Sequence, residues 1–206
     1  MKQEQDYKRD LAEIRSMMER SSKFLSLSGW AGVLAGILAL IGAYLAYYLF
    51  LFRPEMAVYG SSDLDSFELV KLFTLALVIL VLAVVTAIIL SYRRATRKAE
   101  SIWNPTSRKL LINMGIPLTS GGLLILILIA QGLMGLIMPM TLIFYGLSLF
   151  NAGNFTFREL RYLGLIEIAL GLMACCWIKY SVLIWSLGFG LMHIIYGIYI
   201  HLKYQQ

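Results

Sequence analysis

The sequence predicts an all-α polytopic membrane bundle: six transmembrane helices preceded by a cytoplasmic amphipathic helix. Three observations predict it. Hydrophobic residues fill 59% of 206 positions, with a mean hydropathy of +0.74, whereas soluble domains of ordinary composition sit near about 45–50% apolar. The apolar residues gather into six runs, each close to the roughly 17–25 residues that a helix needs to cross a bilayer. Fifteen of the eighteen Lys and Arg residues fall on one side when those runs are read as spans.

Residues 1–23 are polar and helix-favouring. Tyr7, Leu11, Ile14, Met18, Ser21 and Leu25 recur at helical spacing and share one face. Glu4 and Lys8 form an i,i+4 pair in the favoured order. This segment reads as an amphipathic helix leading into a transmembrane domain over 24–203. It suits either a dimer contact extended into the cytoplasm or an anionic membrane surface, which would attract Lys8, Arg9, Arg15, Arg20 and Lys23.

The six runs are Phe24–Phe52, Leu69–Tyr92, Leu110–Ala130, Leu133–Phe150, Tyr162–Ile178 and Val182–Ile200. Lipid cannot satisfy loose backbone groups, so each crossing must be a closed helix. Gln131-Gly132 and Lys179-Tyr180-Ser181 are predicted to make tight helical turns, and Pro117 and Pro139 to kink or start their helices. Helix one carries Ser28-xxx-Gly32-xxx-Gly36 and Ala35-xxx-Ala39-xxx-Ala43. Such stripes let backbones approach closely, within a bundle or between protomers. Tyr145-Gly146 and Tyr196-Gly197 hint at a duplicated hairpin. Trp30, Trp103, Trp177 and Trp185 lie near predicted interfaces, as an aromatic belt requires.

Charge sets the orientation. Lys2 to Lys23, Arg93 to Lys109, Arg158, Arg161 and Lys203 fall on the side of the N-terminus; Arg53, Lys71 and Lys179 fall opposite, with Glu55, Asp63, Asp65 and Glu68. By the positive-inside rule both termini face the cytoplasm of a bacterial inner membrane. The same bias explains a net charge of +6 without nucleic acid. The charged N-terminus and the long first run do not fit a secretory signal peptide. Cys175 and Cys176 are adjacent, so they form no disulfide framework. Arg93, Arg94, Arg97 and Lys98 form a dense cluster beside helix two, a topology determinant or an anionic-lipid contact.

Two ionisable residues fall inside the spans. Glu167 lies six residues past Arg161 and His193 eight residues before His201, so both sit about 9–12 Å from the same face at about 1.5 Å per residue. Each lies between glycines, Gly164 with Gly171 and Gly190 with Gly197, which suggests close approach of helices five and six and a Glu167–His193 contact. A buried carboxylate is costly unless paired, and such pairs either pin a bundle or move protons. Thr86, Asn113 and Tyr145 fall at similar depth, with Tyr196 a step nearer the cytoplasm, and either line a cavity with the pair or hydrogen-bond between helices. No Walker, zinc, nucleophile-elbow or cofactor fingerprint appears, which disfavours an enzyme and implies no cofactor.

Phe144-Tyr145-Gly146 through Asn151, Phe157-Arg158-Glu159-Leu160-Arg161-Tyr162-Leu163-Gly164 with Glu167 and Gly171, and the closing Gly188-Phe189-Gly190, His193 and Tyr196-Gly197 resemble a group of uncharacterised bacterial six-helix membrane proteins. The glycine-rich hairpins are also similar to HdeD-like acid-resistance membrane proteins. These resemblances imply an integral membrane protein without supplying an activity. The expected function is a non-catalytic stress-related, regulatory or partner-binding component in contact with membrane lipid and with itself or another membrane protein. The alternative is a small proton-coupled transporter or channel built on Glu167 and His193.

Overall fold

A computed structural model describes residues 28–49, 66–97 and 103–204. The expected amphipathic helix over 1–23, Lys98 and the loop carrying Arg53, Glu55, Asp63 and Asp65 lie outside them. The described chain is all-helical. Helix α1 (Gly29–Tyr44) runs on into a π-helical turn, Leu45–Leu49. Helices α2 (Ser66–Arg97), α3 (Pro105–Ala130), α4 (Ile137–Ala152) and α5 (Glu159–Cys176) follow. The last crossing is composite: α6 (Ser181–Trp185), a π-helical segment Ser186–Met192, then α7 (His193–Tyr204).

Local chemistry sets the ends. Asn104 and Ser107 form a reciprocal capping box with Pro105 in the first turn, so α3 starts before its apolar run. It stops at Gly132, whose φ of +73° places it in the left-handed region. There the amides of Gly132 and Leu133 bond the carbonyls of Ile129 and Leu128, a Schellman closure. Pro139 falls in the first turn of α4, where its missing N–H costs nothing, and Pro117 lies inside α3. The helices overrun their apolar runs. Arg93, Arg94 and Arg97 end α2, Arg108 and Lys109 open α3, Arg161 opens α5 and Lys203 closes α7. Cations read from sequence as loop residues are thus helical.

Five of the described helical stretches are long and apolar enough to cross a membrane. Helix α5 is the exception, because its eighteen residues include Glu159, Arg161 and Glu167. Its packing explains how such a helix is held: α2 packs on α1, α1 on the π-segment and α7, those on α5, α5 on α4, and α4 on α3. Helix α5 therefore sits inside the row and buries Leu160, Leu163, Glu167, Leu170 and Ala174.

Helices that face lipid gain no hydrophobic force between them, and this row is held by close packing and polar contacts. The tightest crossings are glycine on glycine. A Cβ on Gly146 would lie 2.6 Å from the Gly164 carbonyl oxygen, and one on Gly164 would lie 2.6 Å from that of Gly146. On the other side, a Cβ on Gly197 would stand 2.5 Å from the Gly29 oxygen. The small-residue stripe of α1 is thus spent inside the bundle, with Gly32 and Gly36 against the backbone around His193 and Gly190. Gly164 and Gly171 face α4, while Gly190 and Gly197 face α1, so these glycines do not mediate the α5–α7 approach expected from their spacing. The two Tyr-Gly pairs share a role at close crossings but meet different partners. Trp30, Trp103 and Trp177 are exposed; Trp185 is instead drawn into the bundle, where its Nε1 donates to Thr141 Oγ1 at 3.0 Å.

Candidate functional site

Glu167 projects from the middle of α5 and His193 opens α7, and the two meet. Glu167 Oε1 lies 3.3 Å from His193 Nδ1, with side chains 0% and 6% exposed. The π-helical segment ends at His193, and wide turns of this kind recur at functional sites. Here it places the Gly188 carbonyl 3.0 Å from Nδ1. A carbonyl can only accept, so Nδ1 carries a proton. The other ring nitrogen, Nε2, lies 3.1 Å from the Tyr145 hydroxyl of α4. In the neutral imidazole that nitrogen accepts from Tyr145; in the imidazolium it donates to it. Helices α4, α5 and α7 therefore share one polar chain, Tyr145–His193–Glu167.

The Glu167 contact is an ion-pair distance without an aligned hydrogen bond. Its two carboxyl oxygens are buried and accept none, because the nearby Nδ1–H is directed to Gly188. Gly188 is also what admits the carboxyl: a Cβ there would collide with Glu167 Oε2 and with Leu142. A carboxyl buried in this way needs a partner, because an uncompensated charge in an apolar interior is costly.

Aromatic rings close one side. The Phe189 ring lies over His193 at 5.8 Å and 12°, Tyr145 packs on Phe189 at 4.8 Å, and Trp185 caps Phe189 at 4.8 Å. Trp185, Phe189 and His193 recur every four residues, facing Thr141 and Tyr145 on α4. That i, i+4 register was the available signal; the sequence expectation put Trp185 in an interfacial aromatic belt and gave Phe189 and Thr141 no part in the site. Leu142, Leu170, Ala174 and Ile184 form the apolar cluster beyond them.

The expected neighbours divide. Tyr145 joins the pair. Asn113 does not: its Nδ2 donates to the Lys109 carbonyl of its own helix at 2.8 Å. Thr86 does not either, lying half-buried on α2, which packs on α1. Equal depth brought all three into one expectation, but α2 and α3 are the outer helices of the row. Of the expected lipid-contact cations, Arg93 and Arg97 are exposed, while Arg94 donates to the Tyr204 carbonyl at 3.1 Å.

A second acid–base contact links α5 to α7 nearer the chain's C-terminal end. Lys203 Nζ lies 2.6 Å from Glu159 Oε1, which also accepts from Tyr204 Oη at 3.0 Å. Partial burial pushes the Glu159 carboxyl up, but hydrogen bonds from Lys203, its own amide and Tyr204 outweigh that and hold it below the ordinary range. The bond to Glu159 holds Lys203 above its usual value. Phe157 packs on Tyr204 at 4.6 Å and completes this end.

No family model, curated protein or solved structure matches the chain.

Proposed function

We propose that this chain is a six-span integral protein of a bacterial inner membrane, with both termini cytoplasmic, that acts as a non-catalytic regulatory, stress-related or partner-binding component. The likeness to uncharacterised six-helix membrane proteins belongs to the same proposal. Long apolar helices and the one-sided cations support the topology. The charges of α5 are compatible with a sixth span: Glu167 is paired inside the bundle, and Glu159 and Arg161 belong to the first turn.

One observation carries the functional reading. Glu167 is 0% exposed and His193 5% exposed, so the pair is sealed within the bundle and works as a latch between α5 and α7. A conducting site needs a wet approach from both faces. In vesicles carrying an internal pH dye under an imposed pH gradient, wild-type protein and Glu167→Gln should both leak protons no faster than empty vesicles. A flux present in wild type and absent in the variant overturns this reading.

That outcome would favour the second reading, a proton-coupled transporter. It too has an observation behind it, because both oxygens of Glu167 lack a hydrogen-bond donor. A carboxyl held this way keeps its freedom to exchange a proton with the adjacent imidazole. The exposed Arg93 and Arg97 suit contact with anionic lipid at the cytoplasmic face in either case.

A further inference from the structure

The last crossing changes register part-way, with Ser186–Met192 π-helical between α6 and α7. A π turn bonds a carbonyl to the amide five residues on rather than four, so its ring holds one residue more than an α turn. Such turns are rare, and this one is braced from outside its own ladder. His193 ends the segment, and its amide donates to the Gly190 carbonyl, three residues behind. Its side chain donates to the Gly188 carbonyl, five residues behind, at 3.0 Å. Five is the spacing of the π turn itself, so the imidazole supports the wide ring from the side. Gly188 also admits the Glu167 carboxyl, whose Oε2 occupies the place of the absent Cβ. Elsewhere the segment leans on α1: a Cβ on Gly36 would lie 2.6 Å from the Gly190 carbonyl oxygen. The wide turn is thus braced by the Glu167–His193 pair and by α1.

The two halves that it joins are held unequally. Helix α7 is pinned by backbone against backbone, since a Cβ on Gly197 would stand 2.7 Å from the Val33 amide nitrogen. Helix α6 has only five residues. Its polar ties to α4 are the Trp185 indole on Thr141 and the Ser181 hydroxyl, 4.0 Å from the Met138 sulfur. We infer that His193 is a register lock: its imidazole keeps Ser186–Met192 in the wide turn, and opening of the Glu167–His193 contact lets that segment close to α-helix. Closing expels one residue from the ring. That turns α6 by about 100° and shifts it by about 1.5 Å along its axis relative to α7. Because α7 is fixed against α1, α6 makes the movement, and Trp185 leaves Thr141. An event at the buried pair is thereby delivered to the end of the bundle that carries α6. The inference rests on the regulatory reading above and names the part that moves.

Asparagine and glutamine separate the lock from the mere loss of an imidazole. His193→Asn keeps an N–H donor at the place of Nδ1. His193→Gln keeps one at the place of Nε2, towards Tyr145 and away from Gly188. With 15N-tryptophan in the full chain in lipid nanodiscs, Trp185→Phe identifies the Trp185 indole signal among the four. His193→Asn should leave that signal at its wild-type position. His193→Gln should move it and speed its deuterium exchange about tenfold, the factor of one lost neutral hydrogen bond. Wild-type behaviour in His193→Gln overturns the lock, as does the same change in both variants. A measurement that leaves the site intact guards against variants that fail to fold. With His201→Gln leaving one imidazole, the His193 15Nδ1 and the Gly188 13C carbonyl should lie about 4 Å apart, the 3.0 Å contact plus the carbonyl bond. Absence of a dipolar coupling between them overturns the lock whatever the variants do. The regulatory reading fails separately: a proton flux through wild-type protein would sink it and leave each of these signals where it is.

Discussion

The inner and outer acid–base contacts between α5 and α7 join the same two helices with the same kinds of group, yet they differ in kind. The inner one, Glu167 with His193, is 0% and 6% exposed and leaves both carboxyl oxygens without a hydrogen bond. The outer one, Lys203 with Glu159, is 44% and 16% exposed, and Glu159 Oε1 gathers hydrogen bonds from Lys203 and Tyr204. Where solvent reaches, an ion pair replaces water contacts that were already good, and its net worth is small. Where solvent does not reach, the pair need not add stability, but losing one member leaves the other with nothing to replace it. The contrast teaches that the short, well-bonded contact matters less to the fold than the longer, poorly bonded one.

The harshest way to break this comparison is to remove the inner imidazole. His193→Ala leaves Glu167 buried without its counterpart and takes the Tyr145 hydroxyl out of its bond. The expected loss is about 3–5 kcal/mol of stability, read as a large drop in the thermal midpoint of the detergent-solubilised protein. If Lys203→Ala costs as much, burial does not rank the two contacts and the comparison is wrong.

Gly188→Ala sharpens the same point without touching a polar group. The added methyl must displace the Glu167 carboxyl or the Leu142 side chain, both flexible at their ends. About 1–3 kcal/mol should be lost, as for overpacking elsewhere, and the His193 ring resonances should move with it. A stability loss with unmoved resonances would mean that Leu142 alone gives way.

Glu167→Gln should cost less, roughly 0.5–1.5 kcal/mol, because the carboxyl oxygens it replaces accept no hydrogen bond that the change could remove. The amide keeps the shape of the carboxyl and removes the acid. Accumulation of folded protein comparable to wild type is the expected result. Failure to accumulate would show that the negative charge itself holds the helices together.

Much of this was legible in the chain, for identifiable reasons. Helices of this length announce themselves through apolar runs, and Gln131-Gly132 announces a turn because a left-handed residue there favours glycine. The Glu167–His193 contact was legible from depth alone, since an antiparallel hairpin brings equal depths together. Depth does not give azimuth. That is why Thr86 and Asn113 were grouped with the pair although their helices lie at the outside of the row. It is also why the glycines flanking Glu167 and His193 were assigned to each other: they sit on their helices' other faces, against α4 and α1. Trp185 misled for a related reason, because an indole at interfacial depth satisfies its N–H equally well from a headgroup or from Thr141.

The gentlest perturbation is pH, and it acts on the outer contact through opposite signs at its two members. Glu159 is held below its ordinary value of 4.5 in the folded protein. Its contribution is therefore complete above that value and is lost as pH falls through the lower folded one. Lys203 is held above its ordinary value of 10.5, so its share is complete below 10.5 and is lost as pH rises through the higher folded value. Between those limits the contact should be indifferent to pH. The whole effect should be small, and added salt should weaken it further, because Lys203 is nearly half exposed and its partner lies near solvent. Thermal midpoints measured from acid to alkaline conditions should therefore show a shallow fall at each extreme that Glu159→Gln removes on the acid side. A fall centred near neutrality that survives Glu159→Gln and vanishes in Glu167→Gln would place the controlling titration at the inner pair instead, and would make the buried contact the pH-sensitive one.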